Sequence, residues 1–360
     1  MRSKRQGFVF PYWLLFSVFA AGSLQHRGRS SGQGRSAPLL ALGGLVVALM
    51  VGLRYEVGGD WANYIEIYNN FSHVELPAVL VSGDPAFSFL NWLASRLDLG
   101  VLWVNLVCGS IFAWGLITFA RDQPNPWLAV VVAIPYLVIV VAMGYTRQAV
   151  AIGFIMIAIT NFERRSLIYF CILLFFAAAF HKSALIVLPL LALAVGRGRI
   201  MTALTLIPTA LLVYYLFVAG SVDNLMLNYV EAEYESEGAA VRIAMNVLPA
   251  LVFILFQRRF SLTDPTRRLW LNFAIASLLA LAFLFLSPSS AAVDRTSLYL
   301  IPLQIFVLCR LPSVFRDSKR TNGQLVLAVI AYSAVIQFVW LNYAVNASFW
   351  LPYRLYPLSE

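Results

Sequence analysis

The sequence predicts an all-α polytopic membrane protein. Hydrophobic residues fill 61% of its 360 positions and charged residues only 12%, against roughly 25% charged in ordinary soluble domains. Charge-free runs such as Leu39–Leu53, Val101–Ala120 and Leu269–Val293 approach or exceed the roughly 20 residues that cross a bilayer. The alternating strands of about ten residues that a membrane β-barrel requires do not occur. The chain therefore reads as one integral membrane domain, 1–360, with no stretch long enough for a soluble domain.

Spans are expected near 8–24, 38–53, 100–120, 127–144, 147–160, 166–180, 183–195, 200–219, 242–257, 269–287, 296–310 and 323–342, giving about 11–12 transmembrane helices. Several are shorter than a bilayer is thick, so their ends must extend into polar flanks or be sheltered by neighbours. Orientation follows from the basic residues. The segments 25–37, 121–126, 161–166, 196–199, 257–268 and 310–322 hold 16 Lys and Arg, whereas the opposite segments after residue 37 hold only 7. The first set is assigned to the cytoplasm by the positive-inside rule, which also accounts for the net charge of +9 without nucleic acid. Thirteen of the 17 acidic residues then lie outside. The first span conflicts with this rule, because Arg2, Lys4 and Arg5 precede it and Arg27, Arg29 and Arg35 follow it. Either the N-terminus lies outside or 8–24 is a hairpin or interfacial segment. It also mimics a signal peptide, with Ala20-Ala21-Gly22 as a conceivable cleavage region. Cys108, Cys171 and Cys309 fall in apolar runs without ligand spacing and read as small core residues. Three histidines are too few for an obvious metal site.

The main exterior loops are 54–99 and 220–242. In the first, Asp60 is a plausible N-cap for a short helix that puts Trp61, Tyr64, Ile65, Tyr68 and Phe71 on one face. Asp84-Pro85 reads as a cap followed by Pro at the first helical position of a second helix, with Phe87, Leu90, Asn91 and Leu97 on its face. Both helices suit the bilayer interface, either lying on lipid or shaping an entrance. The acidic stretch with Asp223, Glu231, Glu233, Glu235 and Glu237 reads as a solvated loop or as a lid.

Threading brings Arg54, Asp60, Arg147, His181, Lys182, Arg242, Asp294 and Arg295 to one face of the membrane. Charge near a membrane interior is expensive and is usually paired or functional. A one-sided cluster rich in Arg suits a phosphate or diphosphate. A single Arg would read as an interfacial anchor; four of them on the acidic side argue for a site.

The strings LRYEVGGDWANYIEIY (Leu53–Tyr68), GYTRQAVAIGF (Gly144–Phe154), AFHKSALIVLPL (Ala179–Leu190), DRTSLYLIP (Asp294–Pro302) and WLPYRL (Trp350–Leu355) occur in this order. Together they resemble the EpsG family, a branch of the Wzy-like polysaccharide polymerases, from Arg54 to Arg354. The resemblance implies a glycosyltransferase of the bacterial inner membrane with a GT-C-like helical architecture and short periplasmic interfacial helices. It further implies that polyprenyl-diphosphate-linked oligosaccharide repeats are donor and acceptor at the outer face, that O-antigen, capsule or exopolysaccharide is the product, and that no cofactor is needed. Membrane lipid surrounds such an enzyme, and a chain-length regulator is a candidate protein partner.

Such chemistry requires charge stabilisation on the leaving diphosphate and a base for the acceptor hydroxyl. Arg147, at the outer start of a span, is the strongest guanidinium candidate, followed by Arg54, Arg242 and Arg295, with Lys182 beside them. Helix N-terminal N–H groups near Arg147 and Gln148 add to an anion site. Asp60 and His181 compete as base; Lys182 beside His181 favours a neutral imidazole that can accept a proton. Asp294 reads as a local partner holding Arg295. Trp61, Tyr64, Tyr68 and Tyr145 could stack on sugars or anchor at the interface. No carboxylate cluster shows Mg²⁺ spacing, so a metal-independent transfer is expected, and direct attack at the anomeric carbon would invert its configuration. The competing readings are an O-antigen ligase on the same architecture, a transporter, for which no internal repeat is visible, and a membrane acyltransferase.

Overall fold

Helices form where apolar runs were found, and their lengths divide them into two groups. The computed structural model describes residues 2–26, 33–71, 74–160, 162–163, 166–194, 207, 211, 238–286, 289–316 and 322–358. Among these, five helices are long and apolar enough to cross a membrane: Gly100–Arg121, Ala239–Phe260, Asp264–Leu286, Ser290–Val314 and Gly323–Tyr343. Six shorter apolar helices are Val9–Gln25, Pro38–Gly52, Pro126–Ala142, Thr146–Thr160, Ile168–Phe180 and Lys182–Ala192. The described residues contain no β-strand, only an isolated antiparallel bridge between Arg54 and Leu355. The chain is an all-α polytopic membrane protein. The span expected near 200–219 and the acidic stretch around 231–237 lie outside the described residues, apart from 207 and 211.

In chain order the helices are α1 (Arg2–Gln25), α2 (Gln33–Gly52), the short α3 (Trp61–Asn70), α4 (Leu76–Val81) and α5 (Pro85–Arg96), then α6 (Gly100–Arg121) and α7 (Pro126–Ala133). They continue with α8 (Thr146–Thr160), α9 (Leu167–Phe180), α10 (Leu188–Ala192), α11 (Ala239–Phe256), α12 (Asp264–Leu286), α13 (Ser290–Ser297), α14 (Ile301–Val314) and α15 (Gly323–Tyr343).

The short helices α7 and α8 are the most deeply buried: nearly every residue from Leu128 to Ile159 is core. At 15 residues α8 is about 22 Å long, less than the ~30 Å hydrocarbon slab. Wrapped in protein rather than lipid, it does not have to match the bilayer, and its first turn carries Arg147 well inside the molecule. Glycines let its neighbours come close. A Cβ on Gly115 of α6 would sit 2.3 Å from the Gly153 carbonyl oxygen of α8, and one on Gly52 of α2 would sit 2.5 Å from Leu106 Cα of α6. Backbone contact through small residues is how membrane helices gain packing energy without a hydrophobic driving force.

The expected span 127–144 departs from a regular helix. After α7 the chain runs as a π-helix over Ile134–Ala142, with Pro135 at its start. Proline has no N–H to donate and its ring clashes with the preceding turn; the wider π-turn accommodates it. Trp350, from the 3₁₀ turn Val345–Trp350, donates its indole N–H to the Ile139 carbonyl at 2.7 Å, and Tyr12 Oη donates to the Trp350 carbonyl at 2.7 Å. The Trp350 ring lies so close to Gly144 that a Cβ there would stand 2.5 Å from it. The C-terminal string is thus a staple across the π-helix. It is fastened further by Tyr55 N–H to Arg354 O and Tyr356 N–H to Leu53 O.

The 54–99 segment also differs in detail. It holds three short helices rather than two. Neither Asp60 nor Asp84 caps its helix with its side chain, although both occupy the N-cap position. The aromatic face of α3 turns to protein: Tyr64 is buried edge-on against Phe87, and Trp61 packs edge-on against Tyr55. Ile65 remains exposed and Tyr68 is half-buried.

The glycine contacts yield a stability test. Gly115→Leu is expected to lower the unfolding temperature of the detergent-solubilised protein through overpacking worth roughly 1–3 kcal/mol. Gly323→Ala, with no atom within 4 Å of the new methyl, should leave it unchanged.

Candidate active site

The α2–α3 loop, the starts of α5, α8, α11 and the 3₁₀ turn after α9, and the residues of α13 meet at one end of the bundle. Gly58 makes the loop approach possible. It has φ +106, and a Cβ there would lie 2.1 Å from the Met143 carbonyl oxygen at the exit of the π-helix. Two residues on, Asp60 lies within electrostatic reach of Arg295, Arg147, Arg54 and His181. Burial pushes its carboxyl above the usual aspartate range against the pull of these four groups.

Arg147 begins the first full turn of α8. Its Nη1 donates to Asp84 Oδ2 at 2.8 Å, and its guanidinium lies 5.7 Å from the Phe87 ring. Asp84 also faces the end of α9. His181 Nδ1 stands 3.4 Å from Oδ2, and the Lys182 backbone N–H donates to Oδ1 at 3.2 Å. Burial alone would raise the Asp84 carboxyl. The hydrogen bond with His181, then Arg147 and the Lys182 N–H, outweigh it and hold the carboxyl below its ordinary value. Asp84, read from sequence as a helix cap, is therefore the hub of three expected site residues. Only its pairing could have revealed this, and pairing over 63 to 98 positions leaves no local signal.

A second pair stands beside the first. Arg242, in the first turn of α11, donates Nε to Asp294 Oδ1 at 2.8 Å and Nη2 to Oδ2 at 2.7 Å. This corrects the expectation that Asp294 holds Arg295. Adjacent residues on a helix do not face one another, and both lie within α13, before the span start expected at 296. The exposed Arg295 sits instead with its guanidinium 5.5 Å from the half-buried Tyr145 ring. Gln148 Nε2 donates to the Arg295 carbonyl at 2.6 Å and so joins α8 to α13.

Arg54 occupies a different position from the one expected of a diphosphate ligand. It is 1% exposed. Its guanidinium donates to the carbonyls of Val51 and Val57, to Thr146 Oγ1 at 2.7 Å and to Asn105 Oδ1 at 3.5 Å. It ties the end of α2 to α6 and α8 and faces away from solvent. Tyr64, expected to stack on a sugar, is likewise buried, against Arg147 and Thr146, and burial raises its phenol. Trp61 is buried too, whereas Tyr68 and Tyr145 keep exposed edges.

Arg54→Met is expected to destabilise the protein by about 3 kcal/mol or more, because buried carbonyl and hydroxyl acceptors lose their donor. Arg147→Met should cost less, and thermal unfolding in detergent distinguishes the two. Asp84 adds a pH signature. Its depressed folded value contributes stability above the unfolded value of about 3.9, and that contribution is lost as pH falls through the folded value. Acid unfolding of the wild type should therefore lose a component below about pH 4 that Asp84→Asn has already lost at neutral pH.

No curated protein matches this chain. A profile of the EpsG family matches residues 39–355, from the α2 helix through the C-terminal staple. The match takes in both arginine–aspartate pairs, His181 and Asp60, and the chain belongs to the EpsG family.

Proposed function

We propose that this chain is a single-domain membrane glycosyltransferase that polymerises polyprenyl-diphosphate-linked oligosaccharide repeats, with its site at the outer face of a bacterial inner membrane. The observation that carries the proposal is the grouping of Arg147, Arg242 and Arg295 with Asp60 and His181 at one end of an apolar bundle. Guanidinium groups stay charged and match phosphate oxygens two at a time. Asp84 and Asp294 hold two of them before any ligand arrives, which suits stabilisation of charge that develops on a leaving diphosphate. The Lys and Arg bias supports an outward orientation of this end, and family membership supports the polymerase class. In this reading a GT-C-like architecture gives the polyprenyl tails access from lipid, and a chain-length regulator docks on the exterior surface.

In the step proposed, an acceptor sugar hydroxyl attacks the anomeric carbon of the growing glycan. The bond from that carbon to the diphosphate oxygen breaks, and the hydroxyl proton passes to a base. Arg147, Arg242 and Arg295 take the negative charge on the leaving group, with Lys182 nearby. Asp60 and His181 both face the site and are the two candidate bases. Tyr145 and Tyr68 offer ring edges to sugars. Direct displacement inverts the anomeric configuration.

Purified protein incubated with polyprenyl-diphosphate-linked repeat units in EDTA is expected to give a ladder on a gel. Arg147→Ala should lower the yield by 10²-fold or more, in line with loss of an oxyanion-type contact. A product that appears only when lipid A core is supplied would replace the polymerase with a ligase, and retained configuration in the product would overturn direct displacement.

A further inference from the structure

Asp84 is buried, makes no side-chain cap bond to α5 although it occupies the N-cap position, and touches two groups the proposed transfer needs. We propose that Asp84 is a positioning residue that fixes His181 as the Nδ1–H tautomer and thereby leaves Nε2 as the proton acceptor for the sugar hydroxyl. The kinetic half of this inference rests on the proposed glycosyl transfer; the structural half does not.

The geometry follows from two helix ends. The α9 helix stops at His181, whose backbone turns extended with φ −158 and ψ 112 before the 3₁₀ turn begins at Lys182. The break swings the imidazole away from the α9 axis, toward the start of α5, which packs against α9. There Asp84 Oδ2 is 3.4 Å from His181 Nδ1, and Oδ1 accepts the Lys182 N–H at 3.2 Å. A carboxylate only accepts hydrogen bonds, so the nitrogen facing it carries the proton and the opposite nitrogen carries the lone pair. The His181 side chain keeps 18% of its surface exposed while Asp84 keeps 7%, so the ring reaches the site and its partner does not.

The ring lies among four charged groups. The charged groups facing it are Asp84 and Arg147 from α5 and α8, Lys182 next in the chain, and Asp60 from the α2–α3 loop. Arg147 already donates to the same Asp84 oxygen at 2.8 Å. Two acidic and two basic groups thus surround the ring, and Asp84 is shared between it and Arg147. In the transfer step the acceptor O–H proton moves to Nε2 as the new C–O bond forms and the bond to the diphosphate breaks. The imidazolium formed is then stabilised by Asp84 through Nδ1. Asp60, with no such partner, is left to orient the acceptor sugar.

The chain has only three histidines, His26, His73 and His181, so the tautomer can be read directly. Full-length protein labelled with ¹⁵N-histidine in detergent would be measured by long-range ¹H–¹⁵N correlation near pH 7.5, with His181 assigned by its loss in His181→Gln. The expected result is the Nδ1–H tautomer in the wild type and a shift toward Nε2–H in Asp84→Asn. An Nε2–H tautomer or an imidazolium in the wild type, or no change in Asp84→Asn, would overturn the proposal. On lipid-linked repeats, His181→Gln should slow extension by about 10²-fold and abolish the acidic limb of the pH–rate profile. Asp84→Glu should recover part of the rate lost in Asp84→Asn. A wild type that extends no glycan would defeat the functional reading while leaving the tautomer result standing; a ladder whose acidic limb persists in His181→Gln would defeat the assignment of His181 alone. If Asp84→Asn fails to fold, Asp84→Glu carries the tautomer test, with an altered proton distribution expected and an unchanged one counting against the proposal.

Discussion

The structure depends on holding several guanidinium groups charged and in place at the edge of an apolar slab. Arg54 shows the constraint most plainly. It is buried, its hydrogen-bond partners are neutral oxygens on α2, α6, α8 and the loop between α2 and α3, and burial lowers the proton affinity of its guanidinium. A buried charge without a carboxylate is costly, and four neutral acceptors offset that only because three helix ends and one loop converge on it. The same convergence fixes the first turn of α8 through Thr146 and brings Gly58 down onto Met143. Arg54 thus holds the start of α8, which carries Arg147, and its positive field reaches Asp60.

The spans were legible because an apolar run bounded by charge has one cheap solution in a membrane. Their internal geometry was not. Residues 128–142 are apolar on every side, so no hydrophobic period distinguishes an α-helix from the π-helix found there. What marks the change is Pro135, an ambiguous signal, and the indole of Trp350, which lies 211 positions away. The family string around Trp350 could be noticed in sequence, but its role as a staple on Ile139 and Gly144 required the fold.

The site was legible to a similar depth. Arg147, His181 and Asp60 stood out because charge at the start of an apolar run is rare and has few ordinary explanations. Asp84 did not, since Asp-Pro before a helix already has a sufficient local explanation as a cap. Asp294 was matched with its neighbour Arg295 on the same reasoning by proximity, while its true partner, Arg242, comes from a different helix. Trp61 and Tyr64 were visible as an aromatic face, but a face alone cannot say whether lipid, sugar or protein covers it.

The two arginine–aspartate pairs differ in a way that bears on their use. Arg242 meets Asp294 through two parallel hydrogen bonds, the geometry in which a guanidinium is most fully committed to a carboxylate. Arg147 meets Asp84 through one nitrogen, and Asp84 divides itself among Arg147, His181 and the Lys182 N–H. In the proposed transfer a diphosphate approaching Arg147 would compete with a carboxylate that also accepts from the Lys182 N–H and faces His181, whereas at Arg242 it would compete with a two-bond fork. On this ground the proposed transfer would use Arg147 to strengthen its hold as leaving-group charge develops, and Arg242 to fix the wall against which that charge is placed. In the proposed transfer a shared carboxylate would also couple the two halves of the reaction: as a phosphate drew on Arg147, Asp84 would be freed to carry more of the charge on His181 as the ring took up its proton.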